Sequence, residues 1–307
     1  MKKTALSLAI AAMLPTTALA EKVEVETPEF YGKVNLSIQN TQEGDASTSE
    51  VVSNASRVGA KGQLKLNHGL TGVYQLEYET AFDDGDKGGQ TFEQRNIFAG
   101  IEGGFGRLVA GHFDTPLKKI QKKIDLFGDL EGDIKSVITS NDNRKSNQVL
   151  YKTPTLEGLV ATIAHIASED ETVNDGTSSS LTYTRNKFYA AIAYDTDVEK
   201  NGIDVTRLVG QYSIAGITLG GLWETQQQNG DNQDGWVYSV AYKATDSTTL
   251  KAQYGESDIV KDNAETYSLG LDYKLAKKAK VYAFITDEQY DVNGSNQYYG
   301  VGTEFKF

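Results

Sequence analysis

Cysteine is absent from this chain of 307 residues, and proline occurs only four times. Without cysteine there are no disulfides, so an exported protein of this sequence needs another stabilising device, such as an extensive hydrogen-bonded sheet. Pro28, Pro116 and Pro154 all fall outside the predicted strands, where a proline would remove a ladder hydrogen bond. The scarcity of both residues is compatible with a protein made largely of strands.

Basic charge and metal ligands are also scarce. The chain has 30 Lys and Arg against 42 Asp and Glu, which gives a formal net charge of -12. This acidity argues against a nucleic-acid partner, which a basic footprint would indicate. His68, His112 and His165 are scattered and no cysteine accompanies them, so we expect no zinc site and no cofactor. Neither a G-x-S-x-G elbow nor a Walker loop is present.

Long apolar runs are missing as well. The run Ala5–Leu14 is too short to span a bilayer, which takes about 20 apolar residues. It follows Lys2 and Lys3 and precedes the small-x-small sequence Ala18-Leu19-Ala20, which is typical of a secretory signal peptide. We expect residues 1–20 to be cleaved and residues 21–307 to form one domain.

Most of that domain alternates between apolar and polar residues. In the stretch Tyr31–Gln39, Val34, Leu36 and Ile38 share one face while Lys33 and Asn35 share the other. The same pattern recurs in the stretches Arg57–Leu66, Thr71–Phe82, Phe188–Asp195, Thr206–Ile214, Ile217–Glu224, Trp236–Lys243, Leu250–Tyr254 and Tyr267–Leu275. A period of two with one apolar and one wet face predicts membrane-spanning strands, and we count about sixteen of them.

The connections alternate between short and long. Asn67–Gly69 and Ala215–Gly216 are tight turns, whereas Thr41–Ser53 and Gln226–Asp234 are longer polar stretches. This rhythm predicts an antiparallel up-and-down β-barrel with short periplasmic turns and longer external loops. The last strand ends on Phe307 with aromatic residues on one face. We expect this strand to pair with the first, because an exposed edge of that apolarity would invite aggregation.

The stretch from His112 to Arg144 does not alternate. Thr115 can cap a helix that starts at Pro116, and Gly128 is placed to end it. One apolar stripe runs along this predicted helix through Leu117, Ile120, Ile124 and Phe127. Connections of this length are usually functional or disordered. The segment alone leaves two positions open, one inside the barrel and one as an external flap.

A series of short motifs in a fixed order now resembles the general diffusion porins of Gram-negative outer membranes. The motifs are Tyr31-Gly-Lys-Val, Ser56-Arg-Val-Gly-Ala-Lys-Gly, Gln94-Arg-Asn-Ile-Phe-Ala-Gly, Gly111-His-Phe-Asp-Thr-Pro, Phe127-Gly-Asp and the terminal Phe307. The resemblance covers the whole mature length. It implies a homotrimer of sixteen-stranded barrels in which the third external loop, residues 113–146 here, folds inward and narrows a pore for small hydrophilic solutes.

The resemblance also implies a set of site residues and partners. A basic wall would face an acidic loop, and by motif match these residues are Lys33, Arg57, Arg95 and Arg144 on the wall and Asp125, Asp129, Glu131 and Asp133 on the loop. Phe307 would be the signal read by the barrel assembly machinery, and outer-membrane lipid and lipopolysaccharide would surround the barrel. Four lysines, Lys118, Lys119, Lys122 and Lys123, depart from the family pattern by making the early loop basic.

The residues leave alternatives open. Alternation places Lys33 and Arg57 on the wet face, but Arg95 shares its parity with Ile97 and Ile101 and would point outward, so only the motif match places it inside. A passive channel is the main hypothesis and a solute- or ion-selective channel of the same architecture is the second. Two further hypotheses are a barrel enzyme, for which the sequence shows no recognisable nucleophile–base spacing, and a surface adhesin, which would depend on the external loops.

Overall fold

The computed structural model describes residues 24–84, 89–290 and 294–307, so the predicted signal peptide lies outside the described residues. Nineteen strand segments follow in chain order: β1 Glu24–Val25, β2 Glu29–Glu43, β3 Ala46–Ser53, β4 Arg57–Lys65, β5 Thr71–Glu79, β6 Glu93–Gln94, β7 Ile97–Gly103, β8 Gly106–Asp114, β9 Arg144–Lys152, β10 Leu159–Ile166, β11 Gly176–Arg185, β12 Phe188–Thr196, β13 Ile203–Ile214, β14 Ile217–Gln228, β15 Asp231–Lys243, β16 Thr248–Ser257, β17 Ala264–Ala276, β18 Ala279–Tyr290 and β19 Gly294–Lys306. Two short helices, α1 Pro116–Gln121 and α2 Ile134–Val137, lie between β8 and β9.

These segments form one closed antiparallel ring. Apart from β1 and the breaks between β3 and β4 and between β6 and β7, each segment pairs with its neighbours in sequence, and β19 pairs with β2 from Lys306↔Lys33 to Asn296↔Glu43. Segments β3 and β4 are two parts of one interrupted strand, as are β6 and β7, and β1 adds two residues beside β4. The described residues therefore form a sixteen-stranded barrel, which confirms the predicted fold class and strand number.

Alternation along each strand determines which face looks outward. In β2 the side chains of Lys33 and Asn35 are buried in the interior, whereas Ile38 is 65% exposed on the outside. Large apolar and aromatic residues are similarly exposed on many other strands, including Leu219, Tyr238, Leu269 and Val301. This arrangement is the one expected of a barrel whose outer face contacts lipid. In the described part of the chain, no helix is both long enough and apolar enough to cross a membrane.

Two of the predicted long loops are strands instead. β2 and β3 leave only Gly44 and Asp45 between them, and β14 and β15 leave only Asn229 and Gly230. Asn229 and Gly230 both have positive φ, at 55° and 92°, as two-residue hairpin turns of the primed type require. The polar composition was therefore a poor indicator of a loop, because an antiparallel ladder can continue with polar side chains on both faces.

The C-terminal residue lies beside the first long strand, β2. Gly32 N–H donates to the Phe307 carbonyl at 3.3 Å, and Phe307 N–H donates to the Gly32 carbonyl at 3.1 Å. The Phe307 ring covers Gly32, where an added Cβ would lie 2.3 Å from the ring. The absence of a side chain at Gly32 thus allows the C-terminal ring to close over the seam of the barrel.

Candidate pore constriction

The connection between β8 and β9, residues 115–143, lies inside the barrel, and we call it the inner segment. It begins as the sequence predicts, because the Thr115 side chain accepts a hydrogen bond from Lys118 N–H and Pro116 occupies the first helical turn. The whole apolar stripe is buried: Leu117, Ile124 and Phe127 are 0% exposed. The segment is therefore folded inward rather than lying outside as a flap.

The helix in the structure is shorter than the predicted one and does not extend along the whole apolar stripe. α1 ends at Gln121, and Ile124 and Asp125 both donate their N–H groups to the Gln121 carbonyl in a tighter turn. Continuing the helix would stack the lysine pairs 118/122 and 119/123 at a spacing of four, where like charges repel. The prediction that Gly128 ends the helix was wrong, and the short helix α2 was missed.

The inner segment packs against an interior wall that is itself apolar. The cluster that receives it includes Tyr189, Ala191, Ala193, Ile203, Val205, Val209, Leu222 and Val237. Glycines on the same wall make room for its larger side chains. An added Cβ would lie 3.0 Å from Ile124 at Gly220, 2.5 Å from Ile138 at Gly255 and 2.9 Å from Phe127 at Gly270. Shape and apolarity together hold the segment on this side of the barrel.

The tip of the inner segment is held by β16. Gln253 accepts a hydrogen bond from Leu126 N–H at 2.8 Å and donates to the Gly132 carbonyl at 2.9 Å. Lys251 Nζ donates to the Leu126 carbonyl at 3.1 Å. These bonds close the base of a short loop that carries Asp129 and so direct that residue toward the opposite wall.

Asp129 contacts two of the predicted basic residues. Its Oδ2 lies 2.7 Å from Lys33 Nζ and 2.8 Å from Arg57 Nη2. Burial alone would raise the pKa of Asp129, but the charges of Lys33 and Arg57 outweigh it and lower the pKa to about 2. The backbone of Asp129 has φ +70°, a left-handed conformation that aspartate tolerates better than most residues.

The other three predicted acids lie differently. Glu131 accepts a hydrogen bond from Gln39 Nε2 at 2.9 Å. Asp133 accepts from the N–H groups of Asp129 and Lys135 and thereby caps α2. Asp125 accepts from Phe127 N–H, and its burial, together with the nearby Asp133 charge, raises the pKa of Asp125. Only Asp129 of the four therefore forms an ion pair with the basic wall.

Arg95 lies inside the barrel despite its outward parity. The strand breaks between β6 and β7 at Arg95 and Asn96, so the alternation changes phase there. Arg95 then forms ion pairs with Glu77 and Glu79 of β5. The break reconciles the two conflicting predictions for this residue.

Arg144 and the lysines of the inner segment share a second group of acids. Arg144 Nη2 lies 2.9 Å from Asp114 Oδ1, and Lys122 Nζ lies 2.6 Å from Asp114 Oδ2. Lys118 Nζ lies 2.8 Å from Asp142 Oδ2. Each of the four predicted wall residues therefore has an acidic partner.

A cavity of about 530 Å³ remains between the inner segment and the wall formed by β4 to β9. Charged side chains of both signs border it: Arg57, Glu79, Glu93, Arg95, Asp114 and Arg144 on the wall, and Lys118, Lys122, Asp125, Asp129, Asp133, Lys135 and Asp142 on the inner segment. Such a space is polar and can hold hydrated solutes. Interspersed charges would orient dipoles without forming a single strong binding site.

Two residues of the interior were missed by the sequence analysis. Arg207 of β13 and Glu224 of β14 are fully buried and form an ion pair beneath the inner segment. A signal was available, because both share the interior parity of their strands with apolar residues such as Val205, Val209 and Leu222. Charged residues in an otherwise apolar row need buried partners.

A closed antiparallel barrel with an apolar outer face and an inward segment beside a charged cavity defines the class of outer-membrane β-barrel pores. The model of the Gram-negative porin family matches residues 5–293, so this chain belongs to that family. Membership makes it a passive diffusion channel of the outer membrane.

Sequence relatives and solved structures agree with this assignment. The chain is 26% identical to the major outer membrane protein P.IB of Neisseria gonorrhoeae over 277 residues, covering 84% of this chain and 75% of that protein. It is 27% identical to a monosaccharide porin of Halomonas sp over 267 residues, covering 76% and 73%. The fold matches the anion-selective porin from Comamonas acidovorans with a TM-score of 0.80 at 18% identity, over 93% of this chain and 100% of that chain. It matches Salmonella typhi OmpF with a TM-score of 0.76 at 16% identity, over 91% and 97%.

Proposed function

We propose that the chain forms a water-filled channel through which small hydrophilic solutes and ions diffuse passively, and that it catalyses no reaction. The observation that carries this proposal is the charged cavity of about 530 Å³ left between the inner segment and the wall. Most of the side chains that line it are polar or charged, and the apolar stripe of Leu117, Ile120, Ile124 and Phe127 does not border it.

In this proposal the narrowest part of the channel lies beside the contact of Asp129 with Lys33 and Arg57. The ion pairs at 2.7 and 2.8 Å support that placement. Arg95 and Arg144 extend the basic wall, and Glu131, Asp125 and Asp133 extend the acidic side. Opposed charges across a narrow opening would disfavour apolar solutes. Because the basic residues are paired with acids, we expect weak selectivity between simple cations and anions.

The proposal includes export and assembly. Residues 1–20 would be removed as a signal peptide, and N-terminal sequencing of the mature protein should begin at Glu21. Three copies would form a homotrimer in contact with lipid and lipopolysaccharide. A related structure, OmpT of Vibrio cholerae, is described in a trimer form. The terminal Phe307 would be read by the assembly machinery, and its deletion should reduce the amount of assembled barrel.

Planar-bilayer recording on the purified protein tests the channel directly. Stepwise ionic conductance is the expected result, and its absence in correctly folded protein would contradict the proposal. The reversal potential in a salt gradient then separates a general channel from a selective one. One structural relative is described as anion-selective and one sequence relative as a monosaccharide porin, so liposome swelling with neutral sugars belongs in the same test.

A further inference from the structure

The buried ion pair, Arg207 with Glu224, lies directly across the boundary between β13 and β14. Both side chains are 0% exposed. The cost of burying charge is high unless each group is paired and hydrogen-bonded. The contacts of this pair therefore show what its burial achieves.

The ion pair bonds to both arms of the inner segment. Arg207 Nη1 donates to the Leu117 carbonyl at 3.2 Å and to the Gln121 side chain, both in the arm that enters the barrel. Arg207 Nη2 donates to Thr139 Oγ1 at 3.0 Å, in the arm that returns to β9.

Glu224 adds contacts to the returning arm only. Thr139 Oγ1 donates to its carboxylate at 2.5 Å, and Asn141 Nδ2 donates at 3.0 Å. Gln226, two residues further along β14, accepts from Asn141 Nδ2 at 2.9 Å. A single pair of wall residues thus bonds to both arms of the segment, which also contact one another directly through Lys118, Gln121 and Asp142.

Neither member of the ion pair is among the described residues that border the charged cavity. Any effect of these residues on permeation must therefore act through the position of the inner segment. This separates them from Asp129 and Arg57, whose side chains border the cavity.

We propose that Arg207 and Glu224 are positioning residues that hold the inner segment in its open geometry and set how long the channel stays open. This inference rests on the proposed channel function. The segment has three kinds of support: its apolar stripe, direct contacts between its arms such as Lys118 with Asp142, and the ion pair, which bonds both arms to the wall. Loss of the ion pair would loosen both arms from β13 and β14 while the barrel ring remains intact.

The main test is the double variant Arg207→Met with Glu224→Met. Replacing both partners leaves neither of them as a lone buried charge, and such paired replacements often have little effect on stability, yet the double variant removes the bonds to both arms. Hydrogen exchange of the assembled protein is then measured by mass spectrometry. Amides of residues 115–143 should exchange about a hundredfold faster, while the strands stay as protected as in the parent. Unchanged exchange in residues 115–143 would overturn the proposal.

Arg207→Lys is the conservative variant and guards against a double variant that fails to assemble. Lysine keeps the charge beside Glu224 but cannot reproduce the planar fork that reaches both arms. Exchange in residues 115–143 should still rise, by about tenfold, with the strands unaffected. Exchange equal to that of the parent would again overturn the proposal.

The matched control is Arg107→Met. Arg107 and Glu102 also pair across adjacent strands, with Nε and Oε2 at 2.7 Å, but toward the short-turn end of β7 and β8. This variant should leave exchange in residues 115–143 unchanged.

Bilayer recording on the same samples should show open intervals about tenfold shorter in the double variant at a fixed voltage, with the open conductance retained. A parent that does not conduct would contradict the channel function, whereas the exchange result would still decide the role of the ion pair.

Discussion

The two halves of the barrel wall look alike from outside and differ inside. On β2 to β9 the interior faces carry charge, as Lys33, Arg57 and Glu79 illustrate. On β12 to β18 many interior positions are apolar or glycine, as at Val209 and Gly270. The first half borders the cavity, and the second half receives the inner segment.

This difference shows that the two faces of a barrel strand answer to different requirements. Lipid demands an apolar outer face all around the ring, so alternation on that face is nearly uniform. The interior is free to vary, and its variation determines where a segment can pack and where water can remain. The position of the inner segment is therefore encoded in the interior residues of the wall as much as in the segment.

The largest expected effect follows from removing most of the inner segment, which packs against the apolar half of the wall. Deleting residues 117–136 should raise single-channel conductance by about two- to fourfold, because the segment fills much of the interior. The control is a shortened external connection at residues 168–175, which should leave conductance nearly unchanged. Equal conductance in the parent and the 117–136 deletion would mean that the segment does not narrow the channel.

A smaller effect should follow from filling the space that Gly220 leaves beside Ile124 in the apolar half. Gly220→Leu would place a side chain against Ile124 and Ser239, where a Cβ alone lies 3.0 and 2.5 Å away. Overpacking of this kind costs about 1–3 kcal/mol, so the segment should shift toward the cavity and lower the conductance.

Gly221 provides the matched control for Gly220→Leu. It is the next residue on the same strand but faces outward, and no heavy atom lies within 4 Å of an added Cβ. Gly221→Leu should conduct like the parent. A reduced conductance in both variants would show that any glycine-to-leucine change in this strand has an effect, whether or not it fills the space beside Ile124.

The charged half should respond in selectivity more than in size. Asp129→Asn removes the common counter-charge of Lys33 and Arg57, so the ratio of potassium to chloride permeability should fall by about threefold. Glu131→Gln makes the same change of charge but alters a contact with the neutral Gln39. The reversal potential should therefore move less for Glu131→Gln, and an equal shift would contradict a special role for Asp129.

The sequence predicts the ring, its strand number and the interior position of Lys33 and Arg57, because these depend on a period of two that is read locally. It does not decide whether the inner segment lies inside the barrel or outside as a flap, because the segment's apolar stripe alone does not identify the wall that it packs against. Reading both faces of β13 would have helped, because Val205 and Val209 make its interior parity apolar as well.

Other features depend on information that no local pattern carries. Arg95 points inward because the strand breaks beside it, and alternation has no means of locating such a break. Asp129 meets Lys33 and Arg57 across separations of 96 and 72 residues, and Arg207 meets the Thr139 hydroxyl across 68. Such contacts follow from ring closure and from the depth of the inner segment. They are consequences of the whole fold.

The smallest expected effect concerns pH and tests the contact between the halves. The pKa of Asp129 is lowered to about 2, so its charge and its ion pairs should persist from neutral pH down to about pH 4. The stabilisation from these ion pairs is present above the ordinary carboxyl pKa and is lost as pH falls through about 2. The difference in reversal potential between the parent and Asp129→Asn should therefore be the same at pH 7 and pH 4. If that difference disappeared between pH 5 and pH 4, Asp129 would have an ordinary pKa and could not be bonded to Lys33 and Arg57 in the open channel.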